Sequence, residues 1–146
     1  MARILAQNMS GAFPHVPVHV ESRRSAAHQA YQFLHVAFVV MPILAGIDKF
    51  LHFLTEWDMY LSPRIAALSP IGGHSLMLVA GVIEIIAGLI VLMKPRVGAY
   101  IVTVWLFAII ANLLLMRGFY DIALRDFGLA LSALALGRLS GERDIL

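Results

Sequence analysis

The sequence predicts an all-α integral membrane protein, an up-down four-helix bundle with both termini in the cytoplasm. Three observations predict it. Sixty per cent of the 146 residues are hydrophobic and only 14% are charged, against about 25% charged in a soluble domain. The mean hydropathy is +0.83. The apolar residues fall into runs of about 20, the length of helix that crosses a hydrocarbon core roughly 30 Å thick.

The first run carries no formal charge from Ala26 to Ile47 and resumes after Asp48 and Lys49 as far as Leu54. The second, His74 to Met93, carries only Glu84, and the third, Val97 to Met116, carries no charge. The fourth, Ile122 to Leu139, holds Arg125 and Asp126 near its start, which leaves a short uncharged stretch from Phe127 to Gly137. An apolar run that short also suits a re-entrant or interfacial segment. A span is expected because adjacent opposite charges can pair inside a bundle. Gly128, Ala130, Ser132, Ala133, Ala135 and Gly137 supply small residues expected to pack that helix closely against its neighbours. The helices are therefore expected at about 28–54, 74–93, 97–116 and 121–139 within a transmembrane domain 26–139, with tails at 1–25 and 140–146.

The connections carry information of their own. Lys94-Pro95-Arg96 reads as a tight basic turn. The one long loop, 55–73, contains Pro63, Pro70 and Gly72-Gly73, and Trp57 and Tyr60 are placed in it for an interfacial aromatic belt. Residues Pro63 to Leu68 suit a short surface helix. Four crossings put both tails and the basic turn on one side, with Arg3, Arg23, Arg24, Lys94, Arg96, Arg138 and Arg143. Lys49, Arg64, Arg117 and Arg125 fall toward the other side, among five acidic residues. The positive-inside rule then makes the first side cytoplasmic and the long loop extracytoplasmic. The expected location is a bacterial inner (plasma) membrane, with multiple passes.

Several function classes are excluded or disfavoured. The chain has no cysteine, so it has no disulfide, no thiol redox chemistry and no cysteine-held Fe–S cluster. A formal charge of +2, scattered along the chain, argues against a nucleic-acid partner. No phosphate loop, nucleophile elbow or zincin motif is present. Gln7, Asn8, Ser10, Gly11 and Pro14 break the stretch after Arg3, so no signal-peptide apolar region forms. Arg23-Arg24 flank the first helix rather than marking a twin-arginine signal. The N-terminal tail is expected to be weakly structured and extended by Pro14 and Pro17.

Ionisable groups inside membrane segments are costly, so each is a candidate for function. By helix rise, Lys49, Asn112 and Arg125 each sit roughly 6 Å inside the outer boundary, with Asp48 and Asp126 in the same layer. Glu84 lies near the midplane. Gly81, Glu84 and Gly88 share one helix face, which turns the carboxylate toward the bundle, where Lys49 or Arg125 would let it ionise. Asp48, Lys49, Glu84, Asn112, Arg125 and Asp126 thus form either a satisfied polar network or the wall of a ligand pocket or proton path. No catalytic residue stands out.

The six histidines suggest interfacial or packing roles rather than ligands. His15 and His19 are separated by Pro17, His35 has no partner at its depth, and His52 and His74 lie at the outer ends of adjacent helices. No metal site and no cofactor of the chain's own is expected, while contact with quinone or lipid stays open.

Gly46-Ile-Asp-Lys49-Phe50 and Gly81-Val-Ile-Glu84-Ile-Ile-Ala-Gly88-Leu resemble the DoxX-like family of small four-helix membrane proteins, over roughly Gln32 to Leu139. Some members look like partners of membrane redox systems, including a subunit associated with thiosulfate:quinone oxidation. The resemblance marks Lys49 and Glu84 alone. It implies an accessory or structural subunit of a quinone-linked redox complex, with the bilayer and other membrane subunits as partners. The alternatives are an autonomous small-molecule or proton carrier built around Glu84, and a quinone-reactive oxidoreductase subunit.

Overall fold

The computed structural model describes residues 19–143. Expectations for His15, Pro14 and Pro17 lie outside these residues. Among the described residues the chain is all-helical: α1 (His19–Leu51), a 3-10 turn (Trp57–Tyr60), α2 (Pro63–Leu68), α3 (Gly73–Met93), α4 (Pro95–Leu114) and α5 (Tyr120–Arg143). Residues 26–51 of α1, together with α3 and α4, are long and apolar enough to cross a membrane. α5 is long enough, at 24 residues, but is less apolar, with Asp121, Arg125 and Asp126 near its start and Arg138, Glu142 and Arg143 near its end.

The helix ends follow from local chemistry. α1 stops three residues short of Leu54 because His52 takes a left-handed conformation, φ 53°, while its N–H still donates to Asp48 C=O. The Asp48 carboxylate then accepts from the backbone N–H groups of Phe53 and Leu54, so the chain turns away from the helix axis. At its other end α1 already runs as helix from His19, which corrects the expectation of an irregular tail up to residue 25. Pro95 and Arg96 belong to α4 rather than to a turn. Pro95 opens that helix, where its missing N–H costs no bond within α4, and Lys94 alone joins α3 to α4.

α4 and α5 pack along their length, as do α1 and α3; α3 also packs on α4, and α1 on α5. The core lies where these four helices meet, with Phe38, Ala87, Val91, Ala99, Val102, Leu106, Ala130, Ala133 and Leu136 buried in one cluster. Close approach depends on particular glycines. A Cβ on Gly46 would stand 2.5 Å from Gly81 O, and one on Gly81 would stand 2.8 Å from Gly46 O. These two positions let the α1 and α3 backbones touch.

Gly128 is different. It is exposed and a Cβ there would meet nothing within 4 Å, so the expectation that it packs α5 is corrected. Of the small residues expected to pack α5, Ala130, Ala133 and Gly137 lie on the opposite face and do so, while Ala135 is exposed like Gly128. Ala130 and Ala133 are fully buried, and a Cβ on Gly137 would press on the Tyr100 ring at 3.2 Å. Ser132 donates to Gly128 C=O within its own helix.

The outer surface is apolar. On α1, Phe33, Val36, Val40, Leu44, Ile47 and Leu51 are all exposed and recur at helical spacing. Only 11% of that helix's most apolar stretch is buried. An apolar stripe of this extent needs a bilayer or another protein to cover it.

Candidate functional site: a buried charge pair and its outer cap

At the centre of the α1–α3 contact, Lys49 Nζ lies 2.6 Å from Glu84 Oε2, with side chains 4% and 9% exposed. The local sequence explains the meeting. Gly46 and Gly81 bring the helices together, and each charged residue lies three positions further along its own helix on the same face. The pair is also supported from both sides. Trp105 on α4 donates its indole N–H to Glu84 Oε1 at 3.4 Å. The Trp57 ring covers the ammonium, with Lys49 Nζ 3.8 Å from its centroid, a cation–π contact that strengthens when desolvated.

Trp57, half-buried, turns its ring toward the protein. Its indole N–H donates to Asp48 Oδ2 at 2.7 Å. Asp48 therefore accepts from two backbone groups and one indole and is a helix-end anchor rather than a partner of Lys49. The 3-10 turn carrying Trp57 is folded inward as a lid on the charge pair.

The other three candidate residues are placed apart from this centre or at its edge. Asn112 near the end of α4 holds the long loop: its Oδ1 accepts from Ser62 N–H at 2.8 Å, and its Nδ2 donates to Tyr60 C=O at 2.6 Å. Arg125 and Asp126 pair with each other, Arg125 Nε and Nη2 donating to Asp126 Oδ1 at 3.2 and 3.1 Å. Asp126 is buried at 5% and lies within electrostatic range of Lys49. Arg125 turns outward, its side chain 67% exposed, so it is not the cation that meets Glu84. A long guanidinium stem near a helix end can run along apolar surface to reach the polar boundary.

Comparison with protein-family models, with curated proteins and with solved structures returned no match to this chain. The assignment of a role rests on the chain's own geometry.

Two histidines take roles that neighbouring residues explain. His35 Nε2 lies 3.0 Å from Val91 C=O. That carbonyl would normally accept from the residue four positions on, which is Pro95 and has no N–H. The imidazole supplies the missing donor, which puts its proton on Nε2. His52 and His74 do face one another, with ring centroids 5.8 Å apart and planes 19° from parallel. His74 Nδ1 is also 2.8 Å from Asp58 Oδ2. Trp57, Asp58 and Trp105 carry no signal in the sequence that would tie them to these partners, because two of them lie in a loop whose path the sequence does not specify.

The chemistry open to the buried centre is narrow. Glu84 has a cation at hydrogen-bond distance and an indole on its second oxygen, and Lys49 has a carboxylate and a ring face. Trp105 also lines an open apolar groove with Ile83, Tyr100, Ile101, Val104 and Ala108, on the outside of the α3–α4 pair.

Proposed function

We propose that this chain is a small integral membrane protein acting as an accessory, structural subunit of a larger membrane assembly. In this reading α5 completes a four-helix up-down bundle as a fourth crossing, with both termini cytoplasmic and the 52–72 loop outside. The observation that carries it is the closed Lys49–Glu84 pair, buried and covered by Trp57 and Trp105. A buried pair with an indole on its second carboxylate oxygen and a ring over its ammonium serves to fix helix register. The broad apolar faces, above all on α1, suit lipid and neighbouring subunits. The bacterial inner membrane and the redox, quinone-linked character of the assembly are drawn from the resemblance to the DoxX-like family.

A second reading has one observation in its favour. The apolar groove beside Trp105 is one indole away from Glu84, an arrangement that suits a small apolar ligand such as a quinone ring or a carried molecule.

Purification of the full chain from its native membrane in mild detergent, followed by mass spectrometry, separates the two. A structural subunit brings a fixed set of membrane proteins in constant proportion. A chain recovered alone that moves protons or a small solute when reconstituted into liposomes would overturn the subunit reading in favour of a carrier.

A further inference from the structure

The geometry points to a divalent transition-metal site, zinc the first candidate, formed by His52, Asp58 and His74 where the long loop meets the helix ends. The inference stands apart from the proposed subunit role and does not depend on it. One donor atom from each of the three residues lies within 4.8 Å of the others. They come from three separate elements: the residue after α1, the 3-10 turn, and the second residue of α3.

Two imidazoles and a carboxylate match the preferences of zinc and its first-row neighbours, whereas magnesium and calcium take oxygen donors. With bonds of about 2.0–2.2 Å, donors in a tetrahedral site stand roughly 3.4 Å apart. The side chains are partly open to solvent and free to rotate toward that spacing. Three protein donors would leave one position for water or another ligand, the pattern of an open rather than a closed site.

The backbone supports the assignment. His52 is the only described non-glycine residue with positive φ, a conformation that histidine enters more readily than most residues but that still carries strain. It turns the imidazole out of the α1 helix and places it over His74. Among the described residues nothing hydrogen-bonds the His52 ring, which stacks on His74. The left-handed backbone of His52 ends α1, and the His74–Asp58 hydrogen bond joins those two residues, but neither gives the His52 ring nitrogens a partner. A metal ion supplies one, and also ties the loop to the helix ends beside the Trp57 lid.

The test uses the full chain, purified in mild detergent and stripped with EDTA, titrated with zinc chloride by calorimetry and followed by thermal unfolding. One saturable zinc per chain is expected, with a raised unfolding temperature; magnesium chloride should give neither. His74→Ala and Asp58→Asn should each weaken zinc binding at least tenfold. His52→Asn should do the same, since asparagine accepts the left-handed backbone. Each variant's helical circular dichroism without zinc should match the wild type, and His28→Ala should bind zinc normally. The inference fails if zinc binding is absent or unsaturable, or if it survives in the double variant His52→Asn, His74→Ala. Loss of binding that comes with loss of helix in all three cluster variants would also overturn it, because the three residues would then be holding structure instead.

Discussion

His35 shows how a single residue in this chain is tied to its place. Pro95 removes the N–H that would have satisfied Val91 C=O, and the His35 imidazole answers that carbonyl from another helix. Replacing His35 with leucine leaves the carbonyl orphaned in apolar surroundings, at a cost of about 1–3 kcal/mol. His35→Gln, which keeps a donor at the end of its side chain, should recover much of that loss. Thermal unfolding of both variants in detergent checks the order, and equal stability of the two would show that the hydrogen bond contributes little. The clue was present in the sequence, a proline four residues after an apolar position near a helix end. What the sequence does not show is which of the polar residues on other helices reaches that carbonyl. The same limit applies to the charged layer. Glycine spacing puts Lys49 and Glu84 on facing sides of their helices, but it cannot say that Arg125 swings outward or that Asp126 stays in. Those choices depend on side-chain rotamers and on the rotation of α5 about its axis.

Among the elements, the α1–α3 contact and the outer face of α5 make opposite demands on glycine. Gly81→Leu would force a branched side chain against the Gly46 carbonyl, and the two helices would have to separate. That change should abolish stable folding, as judged by recovery of a single species in size-exclusion chromatography. Gly128→Leu faces open space and should leave the isolated chain as stable as the wild type. If Gly128→Leu instead unfolds the chain, α5 is rotated from the position described. Small-residue patterns marked both helices in the sequence, yet only one of the two glycines makes a close approach. A glycine carries no sign of which neighbour it faces, whereas Glu84 beside Gly81 does, because a carboxylate must turn inward. The loop was partly legible for a similar reason: Pro63 after Ser62 announces a helix start, and α2 runs from Pro63 to Leu68. The inward fold of Trp57 and the grip of Asn112 on Tyr60 and Ser62 are non-local contacts that no short-range pattern encodes. Asn112→Ala should release the loop, seen as faster proteolysis between residues 55 and 73, with the helices still folded.

For the whole molecule, three helices suited to a bilayer and a fourth with charges at its start leave topology as the main question. The native chain has no cysteine, so single cysteines report it cleanly. Cysteines at Ser10 and Glu142 should be labelled from the cytoplasmic side. Because Ser62 is fully buried, the outer reporter belongs at Ala67, which is exposed and should be labelled from the opposite side. Labelling of positions 10 and 142 from different sides would mean that α5 does not cross. The central claim is that Lys49 and Glu84 hold the helices in register instead of performing chemistry, and a double-mutant cycle on folding stability tests it most directly. Glu84→Gln keeps the shape of the side chain but strands a buried ammonium, a loss of about 3–5 kcal/mol. Adding Lys49→Met removes the stranded charge and should restore part of that stability. A Glu84→Gln variant as stable as the wild type, with no gain from Lys49→Met, would contradict the claim.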